Sequence, residues 1–145
     1  MQTDFRVMGV DFGDSRTGVA LSDPLWTLAS PLQCVKGGMK GTAEQIATLI
    51  LEHNVGIVVV GLPKNMDGTE GFRAERVKAF CEMLQTLTTA KIETYDERLS
   101  TVEAYRMMDL TGTFGKKRKE NIDILSAKII LQDWLDREKH KKEEK

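Results

Sequence analysis

Acidic residues occur at three places in this chain where ordinary packing does not explain a charge. Asp11 ends one apolar segment, Asp96 and Glu97 end another, and Asp123 lies between two isoleucines. A carboxylate in such a place costs stability unless a cation meets it, because an unpaired charge is expensive to remove from water. If the positions converge, a hard divalent cation is the natural partner, since such ions take oxygen ligands. The pattern predicts metal-dependent phosphoryl transfer, with a nucleic acid as the leading substrate.

The first two acidic positions each have a simpler explanation. Asp11 could form a turn with its own backbone. Asp96 and Glu97 could belong to a solvated loop, where an ion pair with Arg98 contributes roughly 0–1 kcal/mol. Topology favours a functional role, because ligands of open α/β sheets bind beyond the carboxyl ends of parallel strands. Which of Asp96 and Glu97 faces the site stays open at this point, and we favour Glu97.

The position of Asp123 in the helical repeat indicates which way its side chain faces. With Asn121 as the N-cap, it lies in the first turn of a helix, where a negative charge gains about 0.3–1 kcal/mol from the helix dipole. It also shares one stripe with Ala127, Ile130 and Trp134, which follow at four, seven and eleven positions. Because that stripe is apolar, we expect Asp123 to face the sheet rather than water.

The hydrophobic periodicity predicts the element order β-β-β-α-β-α-β-α-α. The three short first strands predict antiparallel hairpins, and the later alternation of helices and strands predicts parallel pairing. We therefore expect an α/β fold with a five-stranded mixed sheet, antiparallel over β1–β3 and parallel for β4–β5, and helices on both faces. The predicted strands are 5–12, 16–22, 27–36, 55–61 and 91–96, and the predicted helices are 42–53, 72–87, 100–112 and 121–137.

Length and composition limit the possible classes of protein. At 145 residues the chain fits one domain, which we place at residues 1–138, with a disordered charged tail at 139–145. The net charge of −1 gives no general attraction to nucleic acid, so binding must come from a local patch. No signal peptide or membrane span is evident, and the two cysteines lie in unrelated contexts, so we expect a cytoplasmic protein.

Several cations could hold a phosphate backbone near the acids. A run of four near residue 123 forms a basic segment that we expect to be a flexible loop, and its binding would depend strongly on salt. The ordinary alternative is a solvated charge run. The candidate substrate-binding residues are Arg16, Lys64, Arg98, Lys116, Lys117, Arg118 and Lys119.

Four motifs in order resemble one known family, RuvX (also called YqgF), over nearly the whole chain. Its members are described as Holliday-junction-resolvase-like proteins and candidate nucleases of pre-16S ribosomal RNA. Asp14 and Ser126 depart from the usual pattern. The motifs are Gly9-Val10-Asp11-Phe12-Gly13 with Arg16, Gly61-Leu62-Pro63 with Asp67-Gly68, Asp96-Glu97-Arg98-Leu99-Ser100-Thr101, and Ile122-Asp123 with Ile129-Ile130-Leu131-Gln132.

The resemblance implies a ribonuclease-H-like fold and a catalytic, metal-binding set formed by Asp11, Glu97 and Asp123, with Mg²⁺ or Mn²⁺ as cofactor. It implies a nuclease, expected to be an endonuclease, in 5′-end maturation of pre-16S ribosomal RNA, with structured RNA and a ribosomal particle as partners. The alternative is a Holliday junction resolvase acting on branched DNA, for which a homodimer is plausible because two strands must be cut. A non-catalytic nucleic-acid-binding module is the second alternative. A sugar-kinase-like ATPase fits poorly, since such enzymes close two domains around the nucleotide.

Overall fold

A mixed sheet of five strands forms the centre of the described structure. The computed structural model describes residues 5–65, 67–97 and 116–143, and within the last range the side chains of 124–141. The strands are β1 (Arg6–Asp11), β2 (Arg16–Ser22), β3 (Ala29–Lys36), β4 (Val55–Leu62) and β5 (Lys91–Asp96), and the described helices are α1 (Met39–Glu52), α2 (Phe72–Gln85) and α3 (Lys116–Glu143).

The strand order is β3-β2-β1-β4-β5. β1 pairs antiparallel with β2, and β2 pairs antiparallel with β3, as expected for a meander of hairpins. β1 pairs parallel with β4, and β4 with β5, because helical crossovers return the chain to the same edge of the sheet. The predicted mixed α/β sheet is therefore confirmed. The carboxyl ends of β1, β4 and β5 meet at one edge, which we call the carboxyl edge.

Helices cover the two faces of the sheet unequally. α1 and α2 bury one face around Phe80 and Ile46, in a cluster that includes Val10 of β1 and Val60 of β4. Of the three described helices, α3 covers the other face, where Leu131 packs with Val59 and other strand residues. Both layers are apolar where they meet the sheet, which accounts for the nearly continuous apolar sequence of β4.

The last helix is longer than the sequence predicts at both ends. Residues 116–119, expected as the end of a basic loop, form its first turn, and the boundary expected at residue 138 falls inside it. Lysine, arginine and glutamate are good helix formers, and Lys141 pairs with Glu138 one turn earlier at 3.2 Å. Residues 139–143, which we expected in a disordered tail, are thus helical. The helix predicted at 100–112 lies outside the described residues.

None of the described helices combines the length and the apolar character that crossing a membrane requires.

Candidate active site

Glu97 is the acid that turns into the fold at the end of β5. Its side chain is 1% exposed, although glutamate is seldom fully buried. It lies against Gly61 of β4, where an added Cβ would come within 2.7 Å of Glu97 Oε1 and 2.5 Å of Ile130 Cδ1. Only a residue without a side chain leaves room for both neighbours. The glycine next to the end of β4 therefore leaves the space that this carboxylate occupies.

Asp96 belongs to the opposite face of the sheet. It is the register partner of Leu62, which packs against α1 and α2, whereas Tyr95 is the partner of Gly61 and packs against α3. Since partners in register share a face, Asp96 lies on the α1–α2 side. Of the two acids that the sequence leaves open, Glu97 is the one on the α3 side.

Asp11 lies on the same face and at the same edge as Glu97. Val7 packs beneath α3, whereas Met8 and Val10 pack beneath α1 and α2, so alternation places Asp11 on the α3 side. Its side chain is 5% exposed. Val10 pairs in register with Val60, so the next position sets Asp11 beside Gly61. Neighbouring strands are about 4.8 Å apart, which leaves one strand between the two buried carboxylates.

Helix α3 lies directly on β1 because Gly9 has no side chain. A Cβ added at Gly9 would lie 2.6 Å from Leu131 Cβ and 2.7 Å from the carbonyl oxygen of Ala127. This contact fixes how the helix runs along the strand. The helix runs away from the carboxyl edge, because Gln132 Oε1 accepts a hydrogen bond from the Ala29 N–H at 2.8 Å, and Ala29 pairs with Ser22 beside the start of β1.

Asp123 belongs to this helix, one turn before Ala127. Four residues of helix advance about 6 Å and two residues of strand about 6.6 Å, so the helix backbone at 123 comes level with the end of β1. The side chain of Asp123 lies outside the described residues. Its role in the site stays a prediction.

The site offers the oxygen ligands that a hard cation requires. Asp11 and Glu97 supply carboxylate oxygens, the ligands that Mg²⁺ and Mn²⁺ prefer. A further buried oxygen, Ser126 Oγ, has no hydrogen-bond partner in the part of the chain that the structure describes. Among those residues no three His, Cys, Asp or Glu side chains gather as a complete metal-binding group. A third carboxylate at 123 would complete such a group.

The predicted substrate-binding cations are only partly placed by the structure. Arg16 starts β2 at the carboxyl edge, and Lys64 follows β4 there, with its Nζ 3.9 Å from Glu70. Residues 116–119 have a helical backbone, but their side chains lie outside the described residues, as does Arg98 entirely.

Two further arginines, Arg73 and Arg76, lie at this edge and have no motif in the sequence that predicts a role for them. Arg76 of α2 donates hydrogen bonds from Nε and Nη2 to Asp14 Oδ1, at 3.1 and 2.9 Å. With Arg73 it lines a cleft of about 110 Å³ beside Gly13. Their spacing, one helical turn apart, is the only sequence signal. That spacing is too common among surface helices to have indicated a site.

A comparison with solved structures defines the class of fold. T. thermophilus RuvC in complex with a Holliday junction substrate superimposes with a TM-score of 0.56 and 12% identity, over 90% of this chain and 93% of that one. The likeness shows a ribonuclease-H-like fold, as predicted.

Sequence comparisons then give the family. A family model described as RuvX, Holliday junction resolvase, matches residues 5–137, and the chain belongs to the RuvX family. A relative from Thermoanaerobacter pseudethanolicus is 44% identical over 138 residues, covering 94% of this chain and 99% of the relative. One from Clostridioides difficile is 44% identical over 134 residues, covering 92% and 95%. Both are named "Putative pre-16S rRNA nuclease". The resemblance drawn from the motifs is confirmed.

Proposed function

We propose that this chain is a divalent-metal-dependent nuclease that hydrolyses phosphodiester bonds in the precursor of 16S ribosomal RNA, in maturation of its 5′ end. The observation that carries the proposal is the pair of buried carboxylates, Asp11 and Glu97, on one face of the sheet at the carboxyl edge. The two acids lie at the ends of the strands that flank β4, and a divalent cation held between them would neutralise their charge. The names of the relatives support the choice of substrate.

In this proposal Asp11, Glu97 and Asp123 hold Mg²⁺ or Mn²⁺. When bound, the metal supplies charge neutralisation at the scissile phosphate and a water of lowered pKa. Asp11 provides the fixed ligand, because it ends a strand that is paired on both sides. Glu97 is held by its burial against Gly61 and Ile130, which keeps its carboxylate oriented before substrate arrives.

The substrate backbone crosses the carboxyl edge over a set of cations. Arg16 and Lys64 flank the acids on β2 and after β4, and Arg73 and Arg76 continue the positive surface along α2. Guanidinium groups suit phosphate because they can donate two parallel hydrogen bonds. Arg98 and the basic turn 116–119 are further proposed contacts, because their positive charges lie near the acids in the sequence and could hold a phosphate backbone.

A ribosomal particle as partner and a cytoplasmic place of action belong to the same proposal, because precursor ribosomal RNA is structured and carries assembling proteins. The proposal also includes a single nuclease domain over residues 1–138. A second candidate function is cleavage of branched DNA as a homodimer. The observation that favours it is the fold of the junction-bound RuvC structure.

Cleavage of two labelled substrates separates these functions. A precursor of 16S ribosomal RNA and a four-way DNA junction would each be incubated with the purified chain in Mg²⁺, Mn²⁺ or EDTA. The proposal predicts metal-dependent cleavage of the RNA and none in EDTA. Cleavage of the junction alone would favour the resolvase. Tight binding of either substrate without cleavage in any metal would leave the binding module as the function.

A further inference from the structure

Ser126 has a buried hydroxyl without a partner. Its side chain is 1% exposed, and within the described part of the chain Oγ is the one buried side-chain polar atom without a hydrogen bond. A helical serine usually satisfies its hydroxyl with the carbonyl four residues earlier, and this one does not. Because an unmet buried hydroxyl costs stability, such a group needs an explanation. An absent water or ion is a common one.

The position of Ser126 on α3 points to the acids. Ser126 precedes Ile130 by one turn and lies on the same side of the helix. Ile130 Cδ1 and Glu97 Oε1 both crowd the space above Gly61. One turn from Ile130 toward the helix start leads to the carboxyl edge, where Asp11 and Glu97 lie. Ser126 therefore lies one helical turn nearer than Ile130 to the edge at which the two carboxylates lie.

Packing alone does not account for a serine at this position. Alanine, which follows directly at 127 and is also fully buried, is the better helix former and carries no polar atom to satisfy. A serine whose hydroxyl made no interaction would be less stable here than alanine, because a buried hydroxyl without a hydrogen bond costs free energy. The hydroxyl fits a role that arises only when a divalent cation is bound at the acids.

We propose that Ser126 is a positioning residue that holds a water of the metal's hydration shell beside Glu97. The inference rests on the proposed function, because it needs a divalent cation at the acids. Mg²⁺ and Mn²⁺ keep several waters when bound to proteins, and those waters need acceptors that are not already metal ligands. Ser126 Oγ accepts one such hydrogen bond. Outer partners of this kind commonly change metal affinity by 10- to 100-fold.

Calorimetric titration of Mn²⁺ and thermal unfolding in EDTA test this role together. In Ser126→Ala we expect the Kd for Mn²⁺ to rise about tenfold, at the lower end of that range because the hydroxyl is neutral. In EDTA we expect its Tm to equal or exceed that of the wild type, because an unsatisfied group has been removed.

Ser22→Ala is the matched control. Ser22 is similarly buried, but its Oγ accepts a hydrogen bond from the Val7 N–H at 2.9 Å and donates one to the Asp23 carbonyl at 3.0 Å. It lies at the end of β2 away from the acids. This variant should lower the Tm in EDTA and leave the Kd for Mn²⁺ unchanged.

The outcomes separate this inference from the proposed function. If Ser126→Ala binds Mn²⁺ like the wild type while Asp11→Asn does not, the role of Ser126 is overturned and the metal site stands. A lower Tm of Ser126→Ala in EDTA would also overturn it, by showing that the hydroxyl has a structural partner. If the wild type binds no Mn²⁺, both the inference and the metal-dependent function fail.

Discussion

The carboxylate of Glu97 occupies the space that a side chain at Gly61 would fill. A Cβ at Gly61 would lie 2.7 Å from Glu97 Oε1 and 3.3 Å from Glu97 Cγ. Neither neighbour can move freely, since Glu97 is buried and Ile130 belongs to the packed helix above. Strand β4 thus sets the position of an acid that follows the neighbouring strand, β5.

Gly61→Ala should therefore impair catalysis more than it impairs folding. The added methyl displaces Glu97 or Ile130, and overpacking of this kind costs about 1–3 kcal/mol in the free energy of unfolding. A displacement near 1 Å at a catalytic group lowers kcat by about 10²-fold. Urea unfolding and single-turnover cleavage would measure the two effects.

Gly41→Ala is the control for the glycine substitution. Gly41 lies in α1, is exposed, and has no atom within 4 Å of an added Cβ. Alanine should raise stability by about 0.5–1 kcal/mol through helix propensity and leave cleavage unchanged. Equal loss of cleavage in both glycine variants would contradict the argument from Gly61.

Glu97→Gln and Asp96→Asn should behave oppositely although the two acids are adjacent. Glu97 lies on the α3 face with Asp11, whereas Asp96 lies on the other face. We expect Glu97→Gln to abolish metal-dependent cleavage and Asp96→Asn to change it less than threefold. Cleavage rates at saturating Mn²⁺ would decide. Loss of activity in Asp96→Asn alone would show that the wrong acid has been chosen.

Arg73→Gln and Arg76→Gln should each reduce the salt dependence of nucleic-acid binding. The slope of log K against log salt should fall by about 1 for each phosphate that the protein no longer neutralises. The exposed Arg76–Asp14 ion pair contributes only about 0–1 kcal/mol, so folding should survive. Lys91→Gln, at the opposite edge of the sheet, should leave the slope unchanged. Binding titrations at several salt concentrations would show whether α2 contacts the substrate.

We expect the free energy of unfolding to fall at alkaline pH because of Cys81. Burial, followed by the nearby charge of Glu82, raises the pKa of the Cys81 thiol from 9.0 to about 11. The folded state therefore keeps a proton that the unfolded state gives up. The stabilisation is complete below pH 9 and is lost between pH 9 and 11.

Urea unfolding at pH 8.0 and 10.5 checks this linkage in the wild type and Cys81→Ala. The wild type should lose about 1–2 kcal/mol more than the variant over that interval, within the limit of 1.36 kcal/mol for each pH unit. The raised pKa of Tyr95 acts in both proteins, so it cancels in the difference. Equal losses would contradict the pKa of Cys81.

Much of the fold could be predicted because it follows from local patterns. Strands β2 and β5 have the predicted bounds, and β4 extends one residue beyond its predicted end at 61. The choice between Asp96 and Glu97 required the register with β4, which sequence periodicity does not contain.

What could not be predicted depends on contacts between distant segments. The space above Gly61 exists only because β4, β5 and α3 meet there, and the Arg76–Asp14 pair joins residues far apart in the chain. The length of α3 was missed for a different reason. Its ends are polar, so they carry no apolar period, although their residues are good helix formers.

The central claim is that Asp11 holds a catalytic metal. The most direct measurement compares Asp11→Asn with the wild type in Mn²⁺-dependent cleavage of the 16S ribosomal RNA precursor, with Mn²⁺ affinity measured on the same samples. Asp136→Asn removes the same charge from an exposed position on α3 and serves as control. The account predicts that Asp11→Asn stays folded, loses Mn²⁺ binding and loses cleavage, while Asp136→Asn retains both. Cleavage by Asp11→Asn at the wild-type rate would contradict it.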